Sequence, residues 1–132
     1  MNPFRRLTPI VPILLLSLSV PGRTADSGQD QKQRAVSALE QAVKADPGNS
    51  ELWLHLGFAY HKLGQIDPAQ TAFEKAATLD PHSRDALYML GLIYEKKGQK
   101  QEALKVWKQY LSTETDTAKR DVAEKHIHQM SQ

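Results

Sequence analysis

With 132 residues, 40% of them hydrophobic, the chain has material for one small core. It has no cysteine, which excludes disulfides, thiol catalysis and cysteine-ligated zinc. The formal charge of +2 originates at the N-terminus: Arg5, Arg6 and Arg23 precede every acidic residue, and the remaining fourteen Lys and Arg meet fifteen Asp and Glu, a balance of −1 that gives no nucleic-acid footprint.

Residues 1–25 have the three parts of a secretory signal: Arg5-Arg6, an apolar run from Ile10 to Val20, then small and turn-forming residues. The run is shorter than the roughly 20 residues needed to cross a bilayer, and Pro9 and Pro12 interrupt its start. Cleavage and export to the periplasm or medium are expected, at either Ser17-Leu18-Ser19 or Val20-Pro21-Gly22. The alternative is an uncleaved anchor in the inner membrane formed by residues 7–20, the one membrane contact the sequence offers. A small polar stretch, 26–30, reads as a linker.

From Gln31 to Ala45 the spacing predicts a helix, with Ala35, Val36, Leu39, Ala42 and Val43 on one apolar stripe. Asp46-Pro47-Gly48 ends it, because the residue before proline is pushed out of the helical region. Asn49 and Ser83 each precede a further helix, where a short polar side chain accepts from free backbone N–H groups. Between them, Gly64 marks a helix C-terminus, and Asp67-Pro68 reads as a capping carboxylate followed by proline at the first helical position.

This stretch, 50–83, repeats. Trp53, Leu56, Gly57, Tyr60, Gly64, Ala69 and Phe73 fall on Leu87, Leu90, Gly91, Tyr94, Gly98, Ala103 and Trp107 after a shift of 34 residues. Shifted backwards, Ala69, Phe73, Ala76 and Pro81 fall on Ala35, Leu39, Ala42 and Pro47. A period of this length means stacked helical hairpins. The pattern W-x2-L-G-x2-Y, A-x3-F-x2-A, P is met at eight positions in 50–83, and the chain resembles the tetratricopeptide repeat proteins.

The expected fold is therefore all-α: a solenoid of antiparallel hairpins over 31–132, made of a half repeat (31–45), full repeats 50–83 and 84–117, and a capping helix 118–130. Gly57, Ala69 and Ala76 are small where the two helices of a hairpin approach. The second repeat departs from the pattern at Tyr110, where a small residue is expected, and at Thr115, where proline is expected. In the last helix Asp121, Glu124 and Lys125 take the Trp, Leu and Gly positions, so it is read as a cap, packed through Ala118, Val122, Ala123, His126, Ile127 and Met130.

No constellation for catalysis or cofactor binding stands out: no phosphate-cradling glycine loop, no His-Glu-x-x-His, no G-x-S-x-G elbow. His55, His61, His82, His126 and His128 are read as surface side chains without metal. In proteins of the resembled family, the outer stripe of each repeat's first helix lines a concave groove that holds a partner's peptide. Carried onto this chain, the stripe comprises Glu51, Leu54, His55, Phe58, His61 and Lys62, then Asp85, Tyr88, Met89, Leu92, Glu95 and Lys96. The family's carboxylate clamp of lysine, asparagine and arginine is not supported, since Leu54 and Phe58 stand at the matching positions. A second face, Lys96, Lys97, Lys100, Lys105 and Lys108, is read as solvated.

The expectation is a non-enzymatic adaptor or assembly factor of the cell envelope, binding another protein or peptide. The alternative is a self-associating scaffold, in which short arrays stack end to end into a homo-oligomer.

Overall fold

The computed structural model describes residues 27–132, so the leader lies outside the described residues. Among them are six helices and no strand: α1 (Gly28–Ala45), α2 (Ser50–Lys62), α3 (Ile66–Leu79), α4 (Arg84–Lys96), α5 (Lys100–Thr113) and α6 (Thr117–Met130). Each packs on its neighbours in sequence, and α2/α3 and α4/α5 are the two most extensive pairs. This is the all-α hairpin stack expected from the period.

Helix α1 starts earlier than the sequence reading placed it, at the expense of the 26–30 linker. Ser27 and Asp30 form a capping box: Asp30 N–H donates to the Ser27 hydroxyl, and Ser27 N–H donates back to the Asp30 carboxylate. Two otherwise orphaned donors are satisfied, which carries the helix back to Gly28. Asn49 caps α2 as expected, accepting from Glu51 and Leu52 N–H at 3.1 and 3.3 Å.

The other two expected caps are corrected. Ser83 precedes α4 without a side-chain cap bond. Asp67 is inside α3, which starts at Ile66, so neither it nor Pro68 stands where the sequence reading put it. The reason is Gly64: its positive φ of 74° lets Gln65 N–H donate to Tyr60 carbonyl, and the chain turns straight into α3. Gly98, at φ 71°, repeats the turn before α5. The Asp67 carboxylate is thereby free to accept from Lys97 Nζ at 2.8 Å, tying one hairpin turn to the next. With Lys97 held there and also donating to Gln70, the lysine face is interrupted.

Within each hairpin, one aromatic ring covers one glycine. A Cβ on Gly57 would stand 2.6 Å from the Phe73 ring, and one on Gly91 would stand 2.5 Å from the Trp107 indole. Nothing larger than hydrogen fits beneath those rings. Phe73 and Trp107 are fully buried, with Ala69, Ala76 and Ala103 packed around them. The main core runs from Leu54 to Ala123, and a smaller cluster of Val36, Val43, Leu56 and Ala72 fastens α1 to the first hairpin.

Successive hairpins are tied by a second repeated device. Tyr60 OH donates to Glu40 Oε1 at 2.5 Å and Tyr94 OH to Glu74 Oε1 at 2.7 Å. Burial, and then the neighbouring carboxylate, push the Tyr60 hydroxyl up to about 12 and raise that of Tyr94 further. The next pair in register is Lys108 and His128, which cannot repeat the bond.

Helix α6 is fastened differently. The His126 ring stacks on Trp107 at a centroid distance of 4.6 Å and 9° between planes, and its Nδ1 lies 3.0 Å from Glu95 Oε2. The other Glu95 oxygen accepts from Trp107 Nε1–H. His126 is thus a packing residue, as its place on the cap's apolar stripe implies and contrary to the reading of all five histidines as surface side chains.

Candidate functional site

The first helix of each hairpin and α6 present the same register positions to one side of the stack. Shifts of 34 residues connect Glu51, Asp85 and Lys119, and one turn further on Leu54, Tyr88 and Val122. These six side chains border a single cleft of about 650 Å³ crossing α2, α4 and α6. Helical spacing explains the pairing: residues three apart stand on one face, so each charged group sits beside an apolar one.

The floor is apolar. Leu54 is buried, Tyr88 is half-buried, and Val122 is 39% exposed, one of two large hydrophobic side chains left open among the described residues. Tyr88 is held edge-on to Trp107 at 5.5 Å and tilted against Tyr110 at 5.9 Å, so the ring position is fixed by the core beneath it. Tyr110, the departure from the small-residue pattern, fills the space under the cleft.

One wall is built by the α5–α6 turn. Glu114 is buried there, and its carboxylate accepts from the N–H groups of Thr115 and Asp116 at 2.9 and 3.0 Å and from Tyr110 OH at 3.0 Å. Arg84 stands 3.6 Å away. The Asp116 N–H foremost, then Tyr110, Thr115 and Arg84, hold the Glu114 carboxyl below its ordinary range against the opposing effect of burial. A proline at Thr115 has no N–H to donate to Glu114, which accounts for the second departure from the pattern. The same contacts leave the Tyr110 hydroxyl raised to about 12, burial first and Glu114 next.

The opposite wall is the α3–α4 turn, where Asp80 accepts from His82 N–H at 3.0 Å. Among the described residues Glu51 makes only a long contact of 3.8 Å, with His55, both side chains largely exposed. Among the described residues, no hydrogen bond or ion pair engages the Asp85 carboxylate or the Lys119 ammonium.

Of the twelve residues expected on this face, Glu51, Leu54, Asp85 and Tyr88 converge on the cleft. The others do not. Phe58 packs edge-on against Phe73 at 5.1 Å, and Met89 and Leu92 pack on the main core. His55 is exposed beside Glu51, while His61, Lys62 and Lys96 are exposed at the far ends of α2 and α4. Glu95, expected to face a partner, is spent on Trp107 and His126. Lys119 was missed and Val122 was read as a packing residue of the cap, which its open position corrects; the last helix lacks the repeat's packing signature, and the 34-residue period alone points to both. Arg84, Tyr110 and Glu114 carry no such periodic signal.

Among the described residues no three His, Asp or Glu side chains gather around a common metal position, and no helix is long and apolar enough to cross a membrane. The cleft offers shape, apolar contact and charge, the means of holding a chain segment.

Two tetratricopeptide repeat models match the sequence, one over residues 28–76 and the other over 59–118. No curated protein matches it. Similar solved structures include the TPR domain of Arabidopsis OM64, 23% identical with a TM-score of 0.65 over 80% of this chain and 87% of that one. The first TPR of Spaghetti (RPAP3) bound to the HSP90 peptide SRMEEVD is 21% identical, TM-score 0.65, over 78% and 79% of the two chains. MamA is 27% identical, TM-score 0.62, over 77% of this chain and 67% of that one.

Proposed function

The chain belongs to the tetratricopeptide repeat family, and on that premise we propose that it is a non-enzymatic adaptor whose cleft across α2, α4 and α6 binds a segment of a partner polypeptide. The observation that carries this reading is the open apolar floor at Tyr88 and Val122 beside unpaired charges at Asp85 and Lys119. An exposed apolar strip rimmed by polar groups marks an interaction surface. That the RPAP3 domain holds a peptide supports the use of such a stack for this purpose. The leader-like 1–25 stretch supports a cell-envelope location for the adaptor, exported or anchored by residues 7–20.

A photocrosslinking amino acid at Val122, compared with one at exposed Lys75 on α3, tests the reading in the native host. A discrete adduct from position 122 and none from 75 is expected. Equal or absent adducts at both positions, with the fold verified by circular dichroism, overturn it.

The end-to-end scaffold is the weaker reading. The outer faces of both terminal helices are polar, with Asp30, Gln33, Arg34 and Ser37 on α1 and Asp121, Glu124, Lys125 and His128 on α6.

A further inference from the structure

Resting on the peptide-binding reading, we infer that the cleft selects an extended segment of ordered charge: lysine or arginine toward α2 and α4, large apolar side chains in the middle, and an acidic group toward α6. The argument begins with what the cleft leaves unpaired. Glu114 is consumed by two backbone N–H groups, a hydroxyl and Arg84. What remains is Glu51, in a long contact with His55, and Asp85 at one end and Lys119 at the other, three groups in the same register on every second helix, with Asp80, which accepts the His82 N–H, adding a carboxylate from the α3–α4 turn.

The register sets the order. The three charged positions stand on α2, α4 and α6, every second helix of the stack, so a segment running along the cleft meets the two carboxylates first and the ammonium last. Asp85 lies one turn from Tyr88, so a cation paired with that carboxylate also comes near an aromatic ring. Leu54, Tyr88 and Val122 form the parallel apolar row that takes the intervening large side chains.

The order of charge excludes an acidic tail as the occupant. Such a tail places its carboxylates against Glu51 and Asp85, and like charges brought together in a partly desolvated cleft discriminate strongly between partners. The RPAP3 domain, in contrast, is bound to a peptide ending in acidic residues, SRMEEVD.

Three labelled ten-residue peptides test this by fluorescence anisotropy. All share two central leucines. The first carries two lysines before them and an aspartate after them; the second has aspartate at all three charged positions; the third has serine there. Each is also made in reversed sequence, to cover both chain directions. The expected result is about tenfold tighter binding of the first peptide, in its better direction, than of the all-aspartate peptide in either direction, a difference that shrinks between about 50 and 500 mM salt as charges are screened. The triple variant Glu51→Lys, Asp85→Lys, Lys119→Glu inverts the preference. Should it fail to fold, the neutral pair Glu51→Gln, Asp85→Asn removes the preference while keeping the shape. Equal binding of all three peptides, lost on Val122→Asp, overturns the charge order and leaves the cleft as a binding site. Absence of binding by every peptide up to millimolar concentration overturns both.

Discussion

The junctions between hairpins are built in two ways. Where α1 meets α2 and α3 meets α4, a tyrosine hydroxyl reaches a glutamate 20 residues earlier, in the same register each time. Where α5 meets α6, the period supplies Lys108 and His128, and the tie moves to His126, stacked on Trp107 and bonded to Glu95. The internal junctions repeat, because each must present the next hairpin with the surface it received. The α5–α6 junction uses different groups, and the face of α6 away from the stack is polar, with Asp121, Glu124, Lys125 and His128. It is also the junction that completes the cleft, since α6 brings Lys119 and Val122.

Removing Trp107 breaks the difference most severely. The indole covers Gly91, supports Tyr88 and Tyr110, and receives His126. Trp107→Ala is expected to cost about 3–5 kcal/mol in urea unfolding, the usual range for deleting a buried aromatic. The cleft floor should loosen with it. A loss under about 1 kcal/mol contradicts its place at the centre of the second hairpin.

The internal ties are next. Tyr60→Phe and Tyr94→Phe each remove a partly buried hydrogen bond to a carboxylate, expected to cost about 1–2 kcal/mol. Their pH dependence is diagnostic. The Tyr60 hydroxyl moves from its ordinary 10.0 to about 12 on folding, so its contribution is complete below pH 10 and is lost as pH rises from 10 toward 12. The gap between wild type and Tyr60→Phe should close over that window in denaturation curves at fixed temperature. A gap constant through it means that the hydroxyl does not bond Glu40.

The repeat pattern made these ties only half legible. Tyr60 and Tyr94 belong to the eight-position signature, but Glu40 and Glu74 are ordinary exposed-looking charges in sequence. Only packing α2 against α1, and α4 against α3, shows that each glutamate meets a hydroxyl. Glu95 misled for the same reason: its helical position faces outward until α6 covers it.

His126→Ala should cost about 1 kcal/mol, the stack and one hydrogen bond at a partly exposed site. Amide exchange is expected to quicken in α6 and leave α2 and α3 unchanged. Uniform acceleration along the chain means that the terminal junction is not a separate unit.

The last expected difference vanishes in acid. Folding holds the Glu114 carboxyl below its ordinary 4.5, so its contribution is present above that value and is lost as pH falls through the folded-state value. Glu114→Gln should lower the thermal midpoint at neutral pH and converge with wild type as pH drops below 4.5. Parallel curves down to pH 3 or so contradict the bond network at the α5–α6 turn.

By itself the sequence determined the number and kind of elements, because a 34-residue period of large, small and aromatic positions is an interior pattern, and interiors are filled by size. It also indicated which helices share a face, since register is a property of spacing alone. The tertiary structure decided which of those outward positions remain open. Phe58, Leu92 and Glu95 lie on the same stripe as Leu54 and Tyr88, yet packing against Phe73, the core and α6 removes them from the cleft. It likewise recruited Lys119 and Val122 from a helix lacking the signature, because a surface site is composed by the helices that meet there, whatever sequence pattern brought each of them to it.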